Sequence, residues 1–347
     1  MYHCLVNKVT YMNNENHFFV HGSTGYYRPQ IVLVGNGLEI SCGQDSWENF
    51  VKGLKASTCI TLTDEEMHSI PFPLLYQILC TENPAPSTLS CDDIKREEKR
   101  LSEAVKNLQN KSSPTLNILP KLGADHVFTT NYSYCLEKAF FSSLDFGGSS
   151  VRKQYRFNYN PVKKHGASVR ELHYRLHSGY KANNNDGSPV ALWHIHGEYT
   201  VPRGIVLGHD RYGRLLSRIE SICHSCQYKK ENSENNQRVY LSWPELFIYG
   251  DVYVIGFGFN LCEYDLWWLL RRKQRERYAD GKVFFYDNNT KAEMVIRDKL
   301  LQAHGVIINP DNLEKDNDYD AFYTKALENI KMRIQNNKAM RRSCSSE

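Results

Sequence analysis

The stretch "IVLVGNGLEISCGQDSW" (residues 31–47) is an aliphatic run that stops on two glycines and resumes as a mixed segment ending in tryptophan. Four consecutive aliphatic residues suit a strand covered on both faces, as in a parallel sheet. Trp47, Phe50, Val51 and Leu54 then fall at i, i+3, i+4 and i+7, the spacing of one helix face. Strand, glycine turn and helix in that order is the unit from which α/β sheets are wound. Gly35, Asn36 and Gly37 make either a plain tight turn or a loop that offers backbone N–H groups to a phosphate. The third glycine of a dinucleotide fingerprint is missing, because Ile40 stands in its place. No clear strand-end acid follows about twenty residues on, as a dehydrogenase would have.

The same unit recurs along the chain. "HVFTTNY" (126–132), "VYVIGFG" (252–258), "KVFFYD" (282–287) and "GVIINPD" (305–311) read as further buried strands. Between them lie helical patterns. Leu101, Ala104, Val105 and Leu108 share a face in a segment opened by Asp92 and Asp93 as cap candidates. "LWWLLRRKQRER" (266–277) is apolar and then basic, which complements a helix dipole. Residues 291–304 form an amphipathic segment stopped by Gly305. A last helix is expected from Tyr319 to Ile334. The predicted fold is α/β, a Rossmann-like, doubly wound and mostly parallel sheet with helical insertions. Residues 1–30 read as an N-terminal extension and 31–335 as one domain, with insertions near 65–115, 141–190 and 225–240. Polar loops are expected at 180–189 and 227–238, and a disordered tail at 336–347.

Composition bounds the function classes. The chain has 347 residues, 41% apolar and 24% charged, with a formal net charge of +4. That balance fits a globular protein and does not suggest a general nucleic-acid binder. No signal peptide and no bilayer-length apolar run is read, and ten scattered cysteines read as free thiols, so a cytoplasmic protein is expected. Cys223 and Cys226 have zinc-type spacing, but a four-ligand site needs a second pair and no other CxxC exists. That segment reads as a helix end running into a polar loop.

Four places carry candidate chemistry: the turn at 35–37, "TTN" (129–131), "LWHIHG" (192–197) and "GFG" (256–258). Ligands of open α/β sheets bind at the carboxyl ends of strands, where Thr129, Thr130 and Asn131 are delivered. Alternatively these residues cap the next helix. His194 and His196 share a face if their segment is a strand. They are then a metal pair, a base with a supporting neighbour, or two half-buried histidines.

Taken together and in order, "VGNGLEISCGQDSW", "FTTNYSYCLE", "LWHIHG", "IVLGHDRY", "YVIGFGFNLCEYDLWWLL" and "VFFYDNN" resemble the sirtuin-like (silent-information-regulator-type) family, most of all the bacterial branch found in anti-phage systems. The resemblance spans about residues 31–310. It implies an NAD+ hydrolase that cleaves the nicotinamide–ribose bond and depletes NAD+ in abortive infection, with NAD+ as substrate and no metal. The resemblance places Asn131 beside the nicotinamide ribose and makes His196, followed by Gly197, the catalytic histidine. Gly35, Asn36, Gly37, Asp45, Thr130, Asn131, Gly256, Phe257, Gly258, Asp287 and Asn288 are implied as NAD+-binding. Glu198 is expected to support His196 or the developing charge, and His194 to be a supporting or buried histidine.

Two departures matter. Ser133 replaces the usual aspartate of the family's Thr-Gln-Asn-Ile-Asp motif. The four-cysteine zinc module of the deacylases is absent, which counts against protein deacylation and towards plain NAD+ cleavage. Ser133 also keeps open a non-catalytic NAD+- or ADP-ribose-binding module of a larger assembly. The resemblance further implies a homo-oligomer or a partner chain, such as a HerA-type ATPase or another sensor.

Overall fold

The computed structural model of the chain describes residues 20–21, 28–40, 50, 53, 62–80, 99–101, 103–104, 114–158, 175–230, 238–239, 242–276, 279–289, 294–314 and 318–344. Asp45, Trp47, Val51, Leu54, Asp92, Asp93, Val105 and Leu108 lie outside these residues.

An eight-stranded sheet forms the centre. Its strands are β1 (Gln30–Val34), β2 (His126–Thr129), β3 (Arg156–Asn158), β4 (Ser178–Asn183), β5 (Pro189–His194), β6 (Asp251–Ile255), β7 (Val283–Tyr286) and β8 (Val306–Ile308). The spatial order is β8-β7-β6-β1-β2-β5-β4-β3. The six strands from β8 to β5 pair in parallel, in registers such as Leu33 with Val254 and Phe128 with Trp193. Counting only these six in chain order, the arrangement is the Rossmann order, with two strands wound to one side of β1 and three to the other. β4 and β3 extend the β5 edge in antiparallel fashion.

Side-chain alternation along β1 explains the two cores. Ile31 and Leu33 point to one face with Val252, Val254, Phe128 and Trp193, and Val32 and Val34 to the other with Val127, Leu192 and Tyr253. Helices cover both faces. The chain supplies, in order, α1 (Gly37–Ile40), α2 (Asp64–Ser69), α3 (Phe72–Cys80), α4 (Cys135–Phe140), α5 (Ser149–Tyr155), α6 (His209–Lys230), α7 (Trp243–Tyr249), α8 (Tyr264–Arg275), α9 (Met294–Ala303) and α10 (Tyr319–Cys344). α6, α7 and α8 pack on the Ile31 face, and α4 and α10 on the Val32 face. α2 opens on a capping box between Thr63 and Glu66. α3 packs with Phe50 and Leu101 against Tyr132, Ile205 and Leu207. Residues from the 65–115 segment thus reach the carboxyl end of the sheet.

The five strands anticipated from their apolar runs form, and Gly305 closes α9 at φ 76. Three expectations need correction. The expected polar loop at 227–238 begins as helix, with α6 running to Lys230, while residues 231–237 lie outside the described residues. The expected polar loop at 180–189 is instead a β-hairpin, with Asn183 opposite Pro189 and Gly187 at φ 79 in the turn. Its polar letters are turn chemistry, Asn-Asp-Gly between paired strands. The expected disordered tail is helical to Cys344, beyond the expected end at Ile334. Asn337 donates to Gln30 Oε1 at 3.0 Å and Lys338 lies 3.5 Å from Asp125, which ties the last turns to the sheet. Among the described residues no helix is long and apolar enough to cross a membrane.

Candidate active site

The carboxyl ends of the parallel strands bring the expected residues to one edge. β1 delivers Gly35, Asn36 and Gly37; β2 delivers Thr130 and Asn131; β5 leads into His196; β6 delivers Gly256, Phe257 and Gly258; β7 delivers Asp287 and Asn288. Ligands of such sheets sit where the winding direction reverses, here between β1 and β6.

At that point the two glycine turns touch. Gly35 N–H donates to Ile255 O at 3.0 Å, and Gly37 N–H to Gly256 O at 2.7 Å. A Cβ on Gly35 would stand 2.4 Å from Gly256 O, and one on Gly37 2.6 Å from Tyr323 Oη. Gly256 has φ 64, in the left-handed region that favours glycine. These glycines therefore serve a backbone-to-backbone contact. Of the two readings of this turn, the Gly35 and Gly37 amides follow the tight turn: they are committed to Ile255 and Gly256, not free for a phosphate. Gly258 differs: it is exposed, and a Cβ there meets nothing within 4 Å.

Asp287 is held from three sides. Its N–H donates to Asn309 Oδ1, Asn309 Nδ2 donates to its carbonyl, and its carboxylate pairs with Arg297 at 2.5 Å. Arg297 also donates to Gly258 O at 3.0 Å, so one buried guanidinium joins the two turns. Asn288 is buried beside it, and Phe257 packs on Phe259.

The histidines do not share a face. β5 ends at His194, and Ile195 and His196 lie in a turn, so the period-two argument stops there. His194 stands on the Val32 side, with Nε2 2.8 Å from Glu137 of α4 and Nδ1 donating to Asn131 O at 2.9 Å. Burial alone would pull its pKa down, but Glu137 and Glu198 outweigh that and lift it to about 9. His196 meets α8 instead. Its Nε2 is 3.0 Å from Asp265 Oδ2, its Nδ1 3.9 Å from Glu263, and its ring packs edge-on against Tyr212. Tyr212 Oη donates to Glu263 at 2.8 Å. Gly197, at φ 96, lets this turn lie against Gly204.

His196 has its pKa raised above the ordinary histidine value: burial opposes the charge, and Asp265 and Glu263 more than offset it. Glu198 does not support His196. It is buried with Arg175 and Arg156 and accepts from Tyr134 and Tyr180 at 2.5 and 2.6 Å, because the chain has already turned away after Gly197.

Asn131 lies under a second acid. Its N–H donates to Thr129 Oγ1 at 3.0 Å, and its Nδ2 donates to Glu39 Oε1 at 2.6 Å. Ser133 Oγ donates to the same carboxylate at 3.1 Å. Burial raises the Glu39 pKa against the opposing bonds from Asn131 and Ser133.

Sequence reading missed Glu39, Glu263 and Asp265. The signal existed: each acid comes soon after a glycine turn in a mostly apolar stretch, Glu39 two residues after Gly37 in "GNGLEI", and Glu263 and Asp265 five and seven after Gly258 in "GFGFNLCEYDLWWLL". His196, Glu263 and Asp265 also offer one ligand atom each within 4.8 Å of one another. The 3.0 Å spacing of Nε2 and Asp265 is that of a hydrogen bond. Among the described residues Cys223 is a free, buried side chain of the α6 core.

Residues 125–260 match the family described as SIR2-like domain. Over that span the chain is similar to a SIR2-like domain. The matched span includes Asn131, His196 and the turn at Gly256 to Gly258, while Gly35 to Gly37 precede it and Asp265 follows it. No match is found among curated proteins. A SIR2-like domain fits an NAD-related function, and such domains are often NAD-dependent enzymes.

Proposed function

We propose that this SIR2-like domain is an NAD+ glycohydrolase that cleaves the nicotinamide–ribose bond. One observation carries the reading: within the matched span, Asn131 and His196 leave the carboxyl ends of neighbouring parallel strands, and His196 is held by a buried carboxylate. In such a cleavage the C–N bond breaks, nicotinamide departs neutral, and positive charge develops on the ribose as in glycoside hydrolysis. Asn131 holds the ribose hydroxyls and the attacking water. Asp265 accepts the Nε2–H of His196 and so leaves Nδ1 as the base. Nδ1 takes one proton from the water, the ribose carbon gains the hydroxyl, and the proton passes to solvent. Thr130, Gly256, Phe257, Gly258, Asp287 and Asn288 belong to the proposed NAD+ surface; Asp45 lies outside the described residues.

The proposed setting is NAD+ depletion in anti-phage defence, supported by the resemblance of the ordered motifs. Unregulated NAD+ loss harms the producing cell, so activity gated by self-association or by a partner chain goes with it. Purified protein incubated with NAD+ tests the reading: nicotinamide and ADP-ribose should appear in equal amounts, with no requirement for an acetylated peptide. EDTA should leave the rate unchanged. Turnover only with acetylated peptide would replace hydrolysis by deacylation, and restoration by added metal after EDTA would make His196, Glu263 and Asp265 a cation site.

A further inference from the structure

Glu39 is a carboxylate buried to 3% exposure on α1, a four-residue helix, yet it pairs with no arginine or lysine among the described residues. Burying such a group is costly unless hydrogen bonds compensate. Its partners are Asn131 Nδ2 at 2.6 Å, Ser133 Oγ at 3.1 Å, the Cys135 thiol and, through space, His194. The other end of the Asn131 amide is the counterpart. Asn131 Oδ1 is buried and has no hydrogen-bond partner among the described residues. An orphaned buried acceptor is itself unfavourable, and such groups gather where a ligand completes them.

These two facts are linked by the chemistry of the amide. A carboxylate can only accept, so it dictates which way the Asn131 amide faces: Nδ2 towards Glu39, Oδ1 away. We infer that Glu39 is the positioning residue that fixes Asn131 as a hydrogen-bond acceptor for a substrate hydroxyl or the attacking water. His194 holds the same residue from its backbone carbonyl, so Asn131 is clamped at both ends. The inference deepens the NAD+ reading and rests on it.

The test is a double-mutant cycle of wild type, Glu39→Gln, Asn131→Ala and the pair. Gln keeps the shape of Glu39 but presents an amide that can bond Asn131 either way round. Glu39→Gln should lower kcat about ten- to a hundredfold, the scale of a charged hydrogen bond, with KM nearly unchanged. In the Asn131→Ala background it should add nothing. Glu39→Gln also removes a buried charge, so its melting temperature should equal or exceed that of wild type, which separates positioning from folding. Glu39→Asp, which withdraws the carboxylate by one methylene, should lose activity similarly. Wild-type kcat in Glu39→Gln, or losses that add, would overturn the inference. If wild type itself releases no nicotinamide, the hydrolase reading fails instead. The same four proteins are then compared for NAD+ affinity by calorimetry, where non-additive weakening keeps the positioning role and additive or absent weakening removes it.

Discussion

His196 Nε2 lies 3.0 Å from Asp265 Oδ2, with both side chains buried. The contact crosses from the turn after β5 to the first turn of α8, and it sets both the tautomer and the charge of the imidazole. The raised pKa places the acid limb of a pH–rate profile above about 6.5, the ordinary histidine value. Asp265→Asn removes one of the two carboxylates responsible, so that limb should move to lower pH. Plateau kcat should fall by about a hundredfold or more, the scale of a lost general base. His196→Ala and Asn131→Ala should be comparably severe. A limb that stays in place in Asp265→Asn would detach Asp265 from the base.

Much of this arrangement was legible in the sequence, and the failures have a common cause. Apolar runs announce parallel strands where both faces are buried, as in β1, β2, β6 and β7; the edge strand β8, with Ile307 exposed, was read from its letters as well. Motif order singled out His196 and Asn131, and the fold brings both to the carboxyl edge of the sheet. Their partners were not legible, because Glu39 and Asp265 reach Asn131 and His196 from elements 92 and 69 residues away in sequence. The shared-face reading of His194 and His196 failed because a strand's period holds only while the strand lasts. The tail failed because its anchors, Asn337 and Lys338, look solvated until Gln30 and Asp125 are placed beside them.

His194 should mark the pH dependence of stability. Its folded pKa of about 9 lies above the unfolded value, so the native state binds the proton more tightly. The stabilisation is complete below about pH 6.5 and fades as pH rises through about 9; its full span is on the order of 3 kcal/mol. Lys273, pushed down to about 7 by burial, acts in the opposite sense. The informative quantity is therefore the difference between wild type and His194→Gln in denaturant unfolding across that range. It should shrink towards high pH. A constant difference would assign the pH dependence to another group.

The glycine turns separate packing from binding. Gly37→Val drives a side chain into Tyr323 and Gly256, with approach distances of 2.6 and 2.8 Å already at Cβ. It should destabilise the fold by about 1–3 kcal/mol or more, as overpacking does, so its loss of NAD+ binding would say little. At Gly258, by contrast, an added Cβ meets no neighbour within 4 Å, which leaves room for a valine. Gly258→Val should melt like wild type and bind NAD+ more weakly, because the side chain projects where the cofactor would approach the β6 turn. Unchanged affinity in calorimetry would take that turn out of the site.

The end of α10 supports the opposite edge of the sheet. Asn337 Nδ2 donates to Gln30 Oε1 at 3.0 Å and to Asp251 Oδ2 at 3.3 Å, and Lys338 lies 3.5 Å from Asp125. These acceptors stand at the amino ends of β1, β6 and β2, where Asp125 Oδ2 also receives Gln30 N–H and Asp251 Oδ1 receives Lys282 N–H. Removing residues 336–347 would take one donor each from Gln30 Oε1 and Asp251 Oδ2 and the Lys338 cation from Asp125, while keeping Tyr323 and Ile334 in the core. The truncated protein should lose about 1–3 kcal/mol, the range for unmade bonds to buried polar groups, read as a lower denaturation midpoint. Its kcat should be unchanged, since Asn131 and His196 lie at the other end of the strands. An identical midpoint would mean that the last turns contribute nothing and that the network is satisfied by water. A fall in kcat at an unchanged midpoint would instead couple the amino edge of the sheet to the site.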